Sequence, residues 1–215
     1  MQDELLLYPR PSVTIDCVVF GYDGEQLSIL LLNRRDEPFA NQWTLPGGFL
    51  RLEETFEEAA QRILKDKTGI ENLFLEQLYT FGGLSRDPRG RVLSVAYYAL
   101  VNPAKYQLMV GQMANELRWF NWKQLPSLGF DHENIAQVAQ ARLAAKIQYQ
   151  PIGFELLNTQ FTMSELQALH ECILGESLDR RNFHKRMMAS GLLRSTGERR
   201  EGLKSRPAEL FEFIP

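Results

Sequence analysis

Cysteine is nearly absent from this chain, and histidine is scarce. Its two cysteines, Cys17 and Cys172, lie far apart among apolar neighbours, which excludes a disulfide framework or a thiolate metal site and leaves two buried, reduced thiols as the expectation. Long apolar stretches are missing too. Runs such as residues 29–32 fall far short of the roughly 18 residues needed to span a bilayer. The start Met1-Gln2-Asp3-Glu4 is acidic where a secretory leader is basic. Low-complexity tracts are also absent, so a cytoplasmic, soluble protein with no membrane partner is expected. A charge of one sign does not dominate either: the net value is -3, a total within which a local basic surface can still hide. What is present is core material. With 215 residues, 44% of them hydrophobic, the chain can form a domain of about 150 residues with a smaller one behind it.

One stretch organises the rest: Leu45-Pro46-Gly47-Gly48-Phe49-Leu50-Arg51-Leu52-Glu53-Glu54. The glycine pair predicts a tight turn with positive φ and close backbone approach to a ligand. A helix over residues 55–67 follows. Thr55 and Glu58 form a capping box, Phe56, Ala59, Ala60, Ile63 and Leu64 share one face, and Gly69 is the C-terminal cap. On periodicity alone this is an ordinary amphipathic helix whose Glu54 and Asp66 are solvated charges.

The spacing nonetheless resembles the Nudix box: Gly, five residues, Glu, seven residues, then Arg-Glu-apolar-x-Glu-Glu-x-Gly-apolar. Gly48, Glu54, Arg62, Leu64, Gly69 and Ile70 match in register. In that family the three clustered glutamates hold a divalent metal. Their positions here are Ile63, Asp66 and Lys67, of which only Asp66 offers oxygen to a hard cation. The resemblance therefore implies a Nudix domain that binds without efficient cleavage. Gly48, Glu54, Arg62 and Asp66 are then a remnant rather than a catalytic set. No metal site and no required cofactor are expected, with Mg needed only if residual hydrolysis exists.

Around this motif the pattern alternates strands and helices. Residues 13–20 and 27–32 read as two strands joined by Gly21-Tyr22-Asp23-Gly24, residues 72–81, 92–101 and 116–121 as further strands, and Asp131 as the N-cap of a helix through Ile147. Arg34 or Arg35 either faces a phosphate or is a solvated strand end. The loop Ser85-Arg86-Asp87-Pro88-Arg89-Gly90-Arg91 has turn chemistry, and its guanidinium forks suit phosphate oxygens. Arg34, Gly47, Gly48, Arg86, Asp87, Arg89 and Arg91 are the ligand-binding candidates. His132, a lone histidine at a helix start, is read as a structural hydrogen-bonding residue. Residues 1–150 fit a Nudix α/β/α sandwich.

Pro151-Ile152-Gly153 reads as a linker, and residues 151–215 as a second domain. A helix starts at Met163 after Phe161-Thr162, buries Leu166, Leu169, His170 and Ile173, and stops at Gly175. A short element at Ser177 and Leu178 leads into a donor-rich helix over residues 179–188. Strands over residues 192–195 and 208–214 enclose a loop from Thr196 to Pro207. Helix, helix and hairpin make a winged helix-turn-helix. From Leu178 to Arg206 the basic residues Arg180, Arg181, Lys185, Arg186, Arg194, Arg199, Arg200, Lys204 and Arg206 face only Asp179, Glu198 and Glu201, a net +6 within an acidic chain. That concentration points to a phosphate-facing surface. Arg180, Arg181, Asn182, His184, Lys185 and Arg186 on the helix, and Arg199, Arg200, Lys204 and Arg206 on the wing, are the DNA-binding candidates.

Both halves together resemble the Nudix-related transcriptional regulators. These include ADP-ribose-sensing repressors of NAD metabolism and sugar-responsive relatives such as the arabinose regulator of Bacteroidetes. The residues carrying this resemblance are Pro151-Ile152-Gly153-Phe154, Leu178-Asp179-Arg180-Arg181-Asn182-Phe183 and Arg206-Pro207-Ala208. It implies a homodimer on double-stranded operator DNA, with a small-molecule effector that is ADP-ribose or a sugar. The competing expectation is a Mg-dependent ADP-ribose pyrophosphatase of weak activity.

Overall fold

The β-branched run near the start of the chain forms the central strand. In the computed structural model, which describes residues 8, 10–150, 152, 156–200 and 207–214, β1 (Ser12–Tyr22) pairs antiparallel with β2 (Leu27–Arg34) and parallel with β6 (Val92–Val101). With β3 (Trp43–Thr44), β4 (Gly47–Phe49), β5 (Glu76–Phe81) and β7 (Ala114–Asn121) they make one mixed sheet. Its path is β3-β2-β1-β6-β5, with β4 also on β1 and β7 also on β2. Strand alternation divides the side chains between two faces. Ile15, Cys17, Val19, Val95, Tyr97 and Ala99 join Ala59, Ala60, Ile63 and Leu64 of α1 (Phe56–Thr68) on one side. Val18, Phe20, Ala96 and Tyr98 join Ile135, Ala136, Ala139 and Leu143 of α2 (His132–Lys146) on the other. The result is the expected α/β/α sandwich. Each fully buried Leu or Ile in it contributes about 1.5–3 kcal/mol of transfer free energy. α1 carries the predicted capping box, and Gly69 closes it in the left-handed region at φ 76°.

The second unit is built from β8 (Phe161–Thr162), α3 (Met163–Leu174), α4 (Arg180–Ala189), β9 (Leu193–Arg200) and β10 (Ala208–Phe213), with sheet order β8-β10-β9. This is the expected winged helix-turn-helix. α3 begins with a second capping box, Thr162 with Glu165, and ends at Gly175 in the left-handed conformation. Leu166, Leu169, His170 and Ile173 are its buried face, as the spacing predicts. Phe161, Leu166, Leu169, Ile173, Phe183, Leu193 and Phe211 belong to the same apolar cluster as the α2 side of the sandwich. The two units thus share a core. Across it the Gln140 side-chain amide donates to the Ile173 carbonyl at 3.1 Å, and the Leu27 amide donates to Cys172 Sγ at 3.1 Å.

Several local expectations differ from the structure. Gly47 and Gly48 do not form a positive-φ turn; they lie in β4, opposite Asp16 and Ile15 of β1. What they supply is room, since a Cβ on Gly47 would stand 2.0 Å from Asp16 Oδ1, and one on Gly48 3.2 Å from the Ile63 side chain. The strand expected from residue 72 begins at Glu76, because Asn72 turns the chain at φ 59°. β7 begins at Ala114, two residues before the expected start, because pairing with β2 extends it. Ser177 and Leu178 form no regular element. β9 continues past Ser195 to Arg200, so Arg199 and Arg200 sit on a strand paired with β10 rather than in a loop. Cys17 is buried but Cys172 only half-buried. Pro151, Gly153, Phe154, Lys204 and Arg206 lie outside the described residues, as does most of the expected linker.

Candidate functional site

A cleft of about 620 Å³ opens above β4, between the end of β2 and the outer face of α1. Gly47 and Gly48 lie along its floor, Arg34, Arg62, Ile63, Asp66 and Lys67 along its walls, and Asp87, Arg89, Phe49 and Phe130 at its rim. Its inner end is a buried polar network. Asp16, the one charged residue within β1, is 4% exposed and accepts from Ser94 Oγ at 2.5 Å and from Arg86 Nη2 at 3.2 Å. Arg86 also grips Asp131 at the start of α2, with Nη2 2.8 Å from Oδ1 and Nε 3.0 Å from Oδ2. That grip explains why Asp131, at the N-cap position, makes no side-chain capping bond. His132 is buried beside it. Burial pushes its pKa below the ordinary value, so the ring is neutral. Nδ1 accepts from the Leu45 amide at 2.9 Å, and Nε2 carries the proton 3.6 Å from Asp16 Oδ1. This is the structural role expected of it.

The cations of the cleft fall into two groups. Arg62 holds Glu54 through Nε and Nη2 at 2.7 and 2.6 Å, and the Arg51 amide adds a third bond at 2.7 Å. These bonds hold the Glu54 carboxylate down at about 2. Arg89 holds Asp87 at 2.7 and 3.0 Å and lies over the rings of Phe49 and Phe130, at 5.0 and 5.7 Å. Arg34 and Lys67 are different. Among the described residues Arg34 donates only from Nε, to the Pro38 carbonyl at 2.8 Å, and its guanidinium sits 5.2 Å from the centre of the Phe130 ring. Lys67 Nζ makes no hydrogen bond or ion pair among the described residues. Burial, and then the charge of Arg34, lowers its pKa.

Arg34, Gly47, Gly48, Asp87 and Arg89 are therefore brought together in one cleft. Arg86 is not open to it: its side chain is 4% exposed, and the guanidinium is engaged by Asp16 and Asp131. Arg91 points elsewhere, donating to the Gly82 and Gly83 carbonyls at 2.8 and 3.1 Å.

The donor set does not fit a resident divalent cation. Ile63 has no oxygen, Lys67 presents an ammonium, and Glu54 is engaged by Arg62. Glu57 accepts from the Tyr97 hydroxyl at 2.8 Å, and Glu58 serves the capping box. Asp66 is left alone. Among the described residues no three His, Cys, Asp or Glu side chains are arranged to hold a metal.

On the second unit Phe183 anchors α4 in the core while Arg180, Arg181, Asn182, His184, Lys185 and Arg186 are exposed around it. Asp179 caps the helix, accepting from the Asn182 amide at 2.8 Å. Arg180, Arg181 and His184 border a groove against Met163, Ser164 and Gln167 of α3. On the wing, Arg199 is exposed, whereas Arg200 is tied to Glu165 Oε1 at 2.5 Å and to the Gln160 carbonyl at 3.0 Å.

Sequence reasoning passed over Asp16, Phe130 and Thr44. The signal for Asp16 was available, because a lone carboxylate inside a continuous apolar strand must find a partner. Phe130, held at φ 59°, and Thr44, whose buried hydroxyl has no partner among the described residues, carry no pattern detectable in one sequence.

Comparison with known proteins matches two family models to the chain. The model of the NUDIX domain matches residues 10–141, and that of the NrtR DNA-binding winged helix domain matches residues 153–213. The chain is 39% identical over 210 residues to the ADPR responsive transcriptional repressor NtrR of Acinetobacter baylyi, covering 96% of this chain and 83% of the relative. The structure of Shewanella oneidensis NrtR complexed with a 27mer DNA superposes with a TM-score of 0.78 at 34% identity, over 94% of this chain and 93% of that one. The NUDIX domain of the same protein complexed with ADP ribose superposes with a TM-score of 0.58 at 33% identity, over 66% of this chain and 99% of that one.

Proposed function

The chain belongs to the Nudix family and carries an NrtR-type winged helix behind its Nudix domain; from that premise we propose that it is a DNA-binding transcriptional repressor whose Nudix domain senses ADP-ribose. The observation that carries this reading is a cation-rich cleft in which the described residues offer no metal-holding carboxylate set, joined through a shared core to a helix studded with exposed cations. Hydrolysis would erase the signal that a sensor reads. The relatives support the ligand and DNA assignments: that of Acinetobacter baylyi is an ADPR responsive repressor, and Shewanella oneidensis NrtR is seen in complex with a 27mer DNA and, through its Nudix domain, with ADP ribose.

The repressor acts as a homodimer on a palindromic operator, with two α4 helices in successive major grooves. It works in the cytoplasm, where the operator is, and among the described residues no helix is long and apolar enough to cross a membrane. It needs no cofactor. Arg180, Arg181, Asn182, His184 and Lys185 supply base and phosphate contacts, and Arg199 supports them from the wing. Arg200 is already tied to Glu165 and contributes position rather than a free charge. Arg34 and Arg89 face the ligand, with Gly47 and Gly48 beneath it.

Ligand and DNA are coupled by a shift in population between two dimer geometries. A physical route for that coupling runs from Asp16 in the cleft through Arg86 to Asp131 at the start of α2. α2 then contacts α3 through Gln140 and Ile173. Isothermal titration of ADP-ribose into the full chain tests the sensor half, with saturable binding of one ligand per chain expected. Heat with arabinose but none with ADP-ribose would move the ligand to the sugar class.

A further inference from the structure

We propose that Lys67, together with Arg34, is a built-in counter-charge for the diphosphate of the ligand, replacing the divalent ion that Nudix hydrolases use. This rests on the ADP-ribose reading of the cleft and deepens it. Among the described residues five cationic side chains line the cleft: Arg34, Arg51, Arg62, Lys67 and Arg89. Arg62 and Arg89 are neutralised at close range by Glu54 and Asp87, and Arg51 is exposed to water. Only Arg34 and Lys67 combine partial burial with the lack of an ion-pair partner among the described residues.

They come from facing elements, the last residue of β2 and the final turn of α1. Lys67 loses proton affinity to burial and then to Arg34, a loss that the carboxylates of Asp36 and Asp66 only partly offset. Two half-buried like charges that touch no carboxylate among the described residues raise the free energy of the empty protein, and an anion in the cleft relieves it. A cleft of about 620 Å³, with the flat apolar rings of Phe49 and Phe130 at its rim, suits an anion of nucleotide size rather than a simple ion.

Lys67 stands at the last of the three clustered glutamate positions of the Nudix box. A carboxylate there draws a metal to the ligand's phosphates, whereas an ammonium contacts the phosphate oxygens directly. The charge reaching the diphosphate keeps its sign while the intermediary ion disappears. Binding is accordingly independent of divalent metal.

The test is isothermal titration of ADP-ribose into the full chain in EDTA and in Mg, repeated with Lys67→Met and Lys67→Glu, each variant first melted to confirm folding. The parent is expected to bind equally well in both buffers. Lys67→Met is expected to weaken binding about ten- to a hundredfold, the range of one charge-assisted hydrogen bond, while melting no lower than the parent. Lys67→Glu is expected to bind poorly in EDTA and to recover with Mg. Parent binding that requires Mg, or full affinity in Lys67→Met, overturns the proposal and leaves the ADP-ribose reading intact. If the parent binds no ADP-ribose in either buffer, that reading fails, and inorganic diphosphate in EDTA decides the proposal: binding lost in Lys67→Met upholds it, and no binding overturns it.

Discussion

Replacing Arg86 by Met removes the clamp between the cleft and α2. The guanidinium makes three charge-assisted bonds, to Asp131 Oδ2 at 3.0 Å, Asp131 Oδ1 at 2.8 Å and Asp16 Oδ2 at 3.2 Å. Its side chain is 4% exposed, and that of Asp16 is 6% exposed. Removing one member of a buried ionic set costs roughly 3–5 kcal/mol, because the remaining carboxylates lose their counter-charge. Asp131, at 23% exposed, recovers some hydration, which puts the expected loss near the lower end, about 3 kcal/mol. For a chain of this size that lowers Tm by roughly 6–12 °C. Urea and thermal unfolding at pH 7 measure it. Adding Asp16→Asn to the Met variant should restore about 1 kcal/mol or more, since contacting residues couple at that scale. A loss below about 1 kcal/mol at neutral pH, with ADP-ribose affinity falling instead, would refute the argument and return Arg86 to the ligand.

Other perturbations probe other parts of the molecule. His170 is held down at about 4 by burial and then by Arg186. A base whose folded pKa lies below its unfolded value of about 6.5 contributes stability that is complete above pH 6.5 and lost as pH falls toward 4. Between pH 7 and 4.5 the parent should therefore lose about 2–3 kcal/mol more than His170→Leu, read from urea midpoints, and parallel curves would contradict this. Arg181→Ala should weaken operator binding several-fold and make the salt slope shallower by about one unit, and unchanged affinity at moderate salt removes Arg181 from the interface. Ile63→Glu with Lys67→Glu should raise Mg-dependent ADP-ribose hydrolysis roughly 10²-fold or more. Equal activity in the parent would favour the pyrophosphatase reading instead.

Elements governed by short-range pattern were legible in the sequence. The alternation of Val95, Tyr97 and Ala99 against Ala96 and Tyr98, visible in the sequence of the strand expected over residues 92–101, divides between the two faces of the sheet. The capping box of Thr55 with Glu58 and both glycine caps are present as read, because each is set within a few residues; the second box, Thr162 with Glu165, has the same short-range signal but was not read from it. What was not legible depends on partners remote in sequence. Arg86 turns inward because Asp16, 70 residues earlier, needs a cation. Gly47 is required by Asp16 across a strand pair, not by its own φ. Arg200 meets Glu165, 35 residues away, only once β9 and β10 are paired. At the cleft, the loss of the glutamates was plain from the motif. That Lys67 and Arg34 line one cleft, neither in contact with a carboxylate among the described residues, required the fold.

Fluorescence anisotropy of labelled DNA from upstream of the protein's own gene cluster, at fixed salt and with ADP-ribose and arabinose titrated into the complex, tests the central claim most directly. A metabolite-responsive repressor should bind this DNA more tightly than a scrambled duplex, and ADP-ribose should change that affinity by about 5- to 150-fold. Equal affinity for scrambled DNA, with no response to either ligand, would contradict it.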